Sequence, residues 1–446
     1  MPAGTSFGGG ARTSVPLTER RYLAPLILIT SLFFLWAFGV NLNDVLIPHF
    51  KKAFSLTDFQ SSFIQVAFFG GYFLAAFPAG RLMERIGYKK GILVGLSLCA
   101  TGALLFVPVS YIGVYGFFLI ALFVMACGQS FLEVASNPYV TTLGPAASSE
   151  RRLNFAQSFN AVGAVCAALL GRWHILTSAQ HTPGELAAMT AAQLQSYRAE
   201  EVGTVRLPYL VIAGIFLLIG VLIFRSHLPD VVERPGHSDA SAPEAGLKSI
   251  LSHGHLVKGV AAQFFYVGAQ VGVSSFVIRF AEHVVPGMTE KLAGWYLFGH
   301  LLGFMIGRFA GSALMKRVAP ARLLALFAAG SLICASIALL GSGIVPVLAV
   351  VLIGFFHSIM FPTIFALSIK NLGPHTKRGS SLLVMSIIGG AVIPAIMGRI
   401  SDLSNMQTAF LVPLICYVYV LYFALVGYRP SPALSVGSTA VESHAK

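Results

Sequence analysis

Gly163-Ala-Val-Cys-Ala-Ala-Leu-Leu-Gly171-Arg172 returns later in the chain as Gly390-Ala-Val-Ile-Pro-Ala-Ile-Met-Gly398-Arg399, in step at Gly, Ala, Val, Ala, Gly and Arg without a gap. Short identities among small residues carry little weight alone, because Gly and Ala are common wherever membrane helices approach closely. This one gains weight from the loops before it, Leu143-Gly144-Pro145 and Leu372-Gly373-Pro374, each followed by a basic pair or near-pair. A repeat of that kind predicts a duplicated architecture.

Both copies lie in charge-free runs long enough to cross a bilayer. Such runs recur at 22–43, 59–80, 91–132, 153–171, 207–224, 259–278, 292–307, 323–369, 379–398 and 403–428. Of 446 residues, 56% are hydrophobic and 11% charged, against roughly a quarter charged in a soluble domain, so an ordinary soluble enzyme is excluded. One span needs about 20 apolar residues, and two runs are twice that long. They divide at Pro108-Val-Ser-Tyr-Ile-Gly113 and at Gly341-Ser-Gly-Ile-Val-Pro346, where turn-forming residues interrupt the apolar pattern. The expected fold is an all-α membrane protein of twelve transmembrane helices in two pseudo-symmetric six-helix bundles, with short loops.

The formal net charge is +13, but its placement assigns it to topology and not to nucleic acid. With the N-terminus in the cytoplasm, twenty-one of the thirty Lys and Arg fall on that side, among them Arg81, Lys89, Arg151, Arg152, Lys370 and Arg378. That is the positive-inside bias of a protein with both termini cytoplasmic. The five cysteines lie in apolar runs without disulfide or metal spacing, so no metal or cofactor is expected. The first apolar run has no evident cleavage site after it and reads as a retained helix. A Pro-, Gly-, Ser- and His-rich connection divides the spans six and six. The expected organisation is a tail at 1–21, a bundle at 22–228, a cytoplasmic linker at 229–255, a bundle at 256–428 and a tail at 429–446.

A carboxylate in hydrocarbon is costly, so an intramembrane acid is a functional candidate by default. Fifteen of the seventeen acids fall in tails, loops or span ends, and Asp44 in the first span and Glu133 in the fourth remain. Gln129, Glu133 and Asn137 recur at intervals of four and share a helix face, which should front a water-filled cavity. The next span adds Asn154, Gln157, Ser158 and Asn160. Carboxylate and carboxamide groups with Trp36 and other aromatics nearby suit a polyhydroxylated ligand, whose hydroxyls donate and accept while ring faces cover its C–H surface. Either acid can carry a proton and release it as the site changes exposure, which would couple transport to a proton gradient. Arg308, near one end of the eighth span, has gating or structural pairing as its expected role. His300 and His357 read as structural groups. An acid-pair hydrolase built on Asp44 and Glu133 is not expected, because the two lie toward opposite ends of their spans; the chain reads as no enzyme and has no catalytic residue.

Two six-helix halves around an axis along the membrane normal are the architecture of major-facilitator transporters, which bind substrate between the halves. Gly80-Arg81-Leu82-Met83-Glu84-Arg85-Ile86-Gly87-Tyr88-Lys89-Lys90 resembles that superfamily's loop signature, with Glu84 in the acid's place; Gly80, Glu84 and Arg85 are its gating or structural candidates. Asn43-Asp-Val-Leu-Ile-Pro48-His-Phe, Leu132-Glu-Val-Ala-Ser-Asn-Pro-Tyr-Val-Thr-Thr-Leu-Gly-Pro145, Arg152-Leu-Asn-Phe-Ala-Gln157-Ser-Phe-Asn160, Tyr266-Val-Gly-Ala-Gln270 and Pro362-Thr-Ile-Phe-Ala-Leu-Ser-Ile-Lys-Asn-Leu-Gly-Pro374 resemble the fucose:proton symporter family of that superfamily, across essentially all the spans. The resemblance implies a multi-pass inner-membrane protein that imports L-fucose or a related monosaccharide with protons by alternating access, and works as a monomer. Glucose and galactose carriers of the same family are the alternative, and a proton-coupled drug antiporter is a more distant one. The resemblance also implies that Asp44 is the proton-coupling carboxylate and that Glu133 sits in the sugar cavity and assists coupling. Asn43, Gln157 and Asn160 line that cavity in the family, and Gln129 and Asn137 flank Glu133 here. Phe361 stands where the family's pattern for fucose has tyrosine, and the missing hydroxyl weakens the case for L-fucose itself.

Overall fold

The computed structural model describes residues 15–53, 58–112, 114–174, 189, 190, 193, 196, 206–226, 228 and 250–429, with the backbone alone for 40, 42–53, 58–62, 65, 109, 110, 112, 168 and 170–174. Most of both tails and of the 229–255 linker lies outside the described residues. Among the described residues all regular structure is helical, and ten stretches are long and apolar enough to cross a membrane. The earlier helices are α1 (Leu23–Ala53), α2 (Asp58–Ile112), α3 (Tyr115–Thr142), α4 (Ser149–His174) and α5 (Arg206–Arg225). The later helices are α6 (Gly254–Val284), α7 (Glu290–Leu314), α8 (Pro320–Leu340), α9 (Ile344–His357), α10 (Met360–Ile369), α11 (Thr376–Met385), α12 (Gly389–Leu403) and α13 (Leu411–Tyr422).

Both expected divisions of the long apolar runs are present: α2 ends at Ile112 before α3, and α8 ends at Leu340 before α9 opens after Gly343, whose φ of 68° needs glycine. The break expected at residues 81–90 is present and short. These residues are helical within α2, and the chain turns only at Gly87, with φ 79° and ψ 171°, a conformation open to glycine and costly for any residue with a Cβ. The run at 344–369 also steps between α9 and α10. Pro362 supplies no N–H to the Ser358 carbonyl four residues back and its ring crowds that carbonyl, so the helix breaks there.

The earlier helices pack α1 on α4 and α2 on α3 and α5, and the later ones pack α6 on α12 and α13, α7 on α9, and α8 on α9 and α13. The repeated motif lies in these contacts. A Cβ on Gly163 would collide with the Phe34 carbonyl of α1, and one on Gly390 would press the Phe69 ring of α2. The two sets meet through α2 with α11, α4 with α7 and α10, and α3 with α11. Large apolar side chains such as Phe224, Leu326, Ile333 and Leu340 are exposed, whereas Gln129, Glu133, Gln263 and Arg308 are buried. Water on the outside would reverse that arrangement; a lipid surround accounts for it, with ionisable groups turned inward. The protein is a multi-pass membrane protein.

Candidate functional site

The face carrying Gln129, Glu133 and Asn137 lies inside the helix packing, at 0, 4 and 0% exposure. It does not front open water, as the four-residue spacing led one to expect, because neighbouring helices cover it with polar groups of their own. Trp36 Nε1 of α1 donates to Tyr72 Oη of α2 at 3.0 Å, and Tyr72 Oη donates to Gln129 Oε1 at 3.3 Å. Gln157 of α4 donates through Nε2 to Asn137 Oδ1 at 2.8 Å and accepts at Oε1 from Arg308 Nη1 of α7 at 2.9 Å. Arg308 is 4% exposed, lies 4.7 Å over the Phe304 ring and interacts electrostatically with Glu133 and Tyr266. A buried charge needs such an opposite charge and hydrogen bonds to be tolerated. Through its bond to Gln157, Arg308 of the later helices meets the earlier ones.

A second bridge lies beside the first, where Asn154 Nδ2 of α4 donates to Thr363 Oγ1 of α10 at 3.1 Å. Phe361 is buried on α10, stacked on Phe365 at 6.3 Å, and Asn160 on α4 is half-buried. Asn43 and Asp44 belong to α1, and their side chains lie outside the described residues. Hydrogen-bonding capacity in this layer is only partly used: Gln129 Nε2, Asn154 Oδ1, Arg308 Nε and both amide atoms of Gln263 are buried without a partner. Sequence reasoning does not single out Tyr72, Thr363 and Gln263, since the neighbouring helices, and not each helix's own spacing, decide which of its polar residues turn into the layer. His300 and His357 have contacts within the later helices, His300 with the Val350 carbonyl and Ser274 Oγ, and His357 with Tyr417 Oη at 2.6 Å.

At one end of the helices the two sets are latched. Glu84 pairs with Arg378 at 2.6 Å and Glu150 with Lys370 at 2.7 Å, each joining an earlier to a later segment. Gly80 of α2 abuts Ser381 of α11, where an added Cβ would meet the serine Cβ at 2.8 Å; Arg85 is exposed. Beside this latch Arg152 is fully buried and donates to Val140 O at 2.7 Å and to Leu17 O at 2.8 Å, while Thr18 Oγ1 donates to Leu143 O at 2.6 Å. The Glu150 carboxylate lies near enough to interact with the Arg152 guanidinium. These bonds tie residues 15–18 to the turn between α3 and α4.

The chain matches the Major Facilitator Superfamily over residues 29–387, and it belongs to that family of membrane transporters. It is 44% identical over 410 residues to the L-fucose-proton symporter of Escherichia coli strain K12, covering 91% of this chain and 93% of that protein. It is 40% identical over 414 residues to the glucose/galactose transporter of Brucella abortus biovar 1 strain 9-941, covering 92% and 96%. The crystal structure of FucP, a transporter of the superfamily in the outward conformation, matches with a TM-score of 0.84 at 44% identity, covering 91% of this chain and 99% of that one. These relatives are transporters and not enzymes, and they uphold the resemblance to the fucose:proton symporter family.

Proposed function

We propose that this protein is a proton-coupled monosaccharide symporter of the cell inner membrane, importing L-fucose or a related sugar by alternating access. The observation that carries the reading is the buried polar layer joining Asn137, Gln157 and Arg308 across the two helix sets beside Glu133, in a chain similar over nine tenths of its length to the L-fucose-proton symporter. Sugar binds between the sets, held by Gln129, Glu133, Asn137, Gln157, Asn160 and Phe361, with Asn43 beside Asp44. Asp44 is the principal proton carrier and Glu133 assists; sugar and proton together favour the conformer that opens the latched end, and proton loss there releases the cargo. Gly80, Glu84, Arg85 and Arg308 hold or gate the conformers.

Counting α2 as two spans around Gly87 and α4 as a further span gives twelve, six before and six after the linker, in bundles at 22–228 and 256–428. The basic bias puts both termini in the cytoplasm. The latch then faces the cytoplasm, and this conformer is the outward one. A monomer is the working unit, since substrate lies between halves of one chain. Phe361 and the 40% identity to a glucose/galactose transporter favour D-glucose or D-galactose as the second reading. Uptake of labelled L-fucose, D-glucose and D-galactose into proteoliposomes, with and without an inward proton gradient, tests both. One of the three should accumulate only under the gradient; accumulation of none overturns the proposal.

A further inference from the structure

Gln263 on α6 is fully buried, and neither its amide nitrogen nor its carbonyl oxygen has a hydrogen-bond partner. Buried carboxamides ordinarily have donor and acceptor both satisfied, and within a membrane no solvent meets the need. Among the described residues it is the one carboxamide in which both polar atoms are buried and left over.

Its neighbours along α6 fix its face. Gly259, one turn earlier, is packed so that an added Cβ would collide with Ser368 of α10. Tyr266, one turn later, donates to the His357 carbonyl at 2.8 Å at the step between α9 and α10, and interacts electrostatically with Arg308. Positions 259, 263 and 266 therefore form one stripe toward the α9–α10 segment, the segment that presents Thr363 to Asn154. At 1.5 Å per residue, Gln263 lies about 14 Å from the start of α6 and Arg308 about 9 Å from the end of α7. In consecutive helices of opposite direction these ends share a side, which puts Gln263 at the level of the polar layer.

We propose that Gln263 is a specificity-determining contact to the transported sugar, facing it from the later helices while Gln157 and Asn137 face it from the earlier ones. The proposal rests on the monosaccharide reading above. A carboxamide with free donor and acceptor matches two neighbouring hydroxyls, one accepting and one donating. An analogue lacking either hydroxyl leaves the amide unpaired again, which is how a polar site discriminates most strongly.

The test compares initial uptake rates in proteoliposomes of wild type, Gln263→Leu and Gln263→Glu under a fixed inward proton gradient, using the transported sugar and its monodeoxy analogues. Gln263→Leu should raise KM for the parent sugar about tenfold or more, with the maximal rate largely retained. The analogue lacking the contacted hydroxyl should show nearly the same KM in wild type and variant, a pattern that a structural role would not produce. Removing an unsatisfied amide should leave the detergent unfolding midpoint no lower. If Gln263→Leu does not fold, Gln263→Glu carries the test, since it keeps the shape and loses the donor. An unchanged KM, or an equal rise for every analogue, overturns the inference alone. Wild type that accumulates no monosaccharide overturns the functional reading, and the inference with it.

Discussion

The latch and the polar layer join the same two sets of helices by opposite means. In the latch, Glu84 meets Arg378 and Glu150 meets Lys370. In the layer, Gln157 bridges Asn137 and Arg308, yet Gln129, Asn154, Arg308 and Gln263 each keep a buried atom unpaired. Each such atom costs about 1–3 kcal/mol. The ion pairs of the latch are closed in this conformer, whereas the layer is only partly paired. A ligand moves a conformational equilibrium only by its differential affinity for the two states, and an under-satisfied layer is where that difference can arise.

Four variants test this contrast. The largest effect belongs to Asp44→Asn, which should abolish gradient-driven accumulation while sugar exchange across the membrane persists; a variant that still concentrates sugar removes Asp44 from coupling. Next is Arg308→Leu. It removes a charged hydrogen bond to Gln157 and the cation near Glu133, so thermal unfolding in detergent should show a loss of about 1.5–3 kcal/mol, with uptake down about tenfold or more. Glu84→Gln is milder, because both partners keep some solvent contact at 26% and 17% exposure. A loss of up to about 1 kcal/mol should shift the conformers roughly fivefold away from the latched state, read as labelling of a cysteine placed at Ser381, and unchanged labelling would deny the pair a gating role. Smallest is Thr18→Ala, which forfeits one bond to Leu143 O and about 1 kcal/mol at most, lowering the unfolding midpoint without altering KM for sugar.

What could be read in advance depended on whether the signal was local. Turn residues at Pro108–Gly113 and Gly341–Pro346 divide the long runs where the helices do end, because a break in an apolar run is written in the run itself. Gln129, Glu133 and Asn137 declared a shared face through spacing alone. That this face would be buried depends on Tyr72, Gln157 and Arg308 arriving from three other helices, and no periodicity encodes the relative register of separate helices. The Glu84–Arg378 and Glu150–Lys370 pairs were hidden for the same reason: each charge reads singly as part of a basic or polar loop end. At residues 81–90 the break is legible in a charged stretch with glycine, but its shortness is not: helix runs up to Gly87 from both sides, and only Gly87 leaves the helical region.

The central claim is that sugar and proton move together. The measurement that tests it most directly is external pH around proteoliposomes with no imposed gradient, recorded as L-fucose, D-glucose or D-galactose is added. The transported sugar should make the medium more alkaline with wild-type protein, and Asp44→Asn should give no such signal. Sugar entry through the wild type with no change in external pH would contradict the central claim.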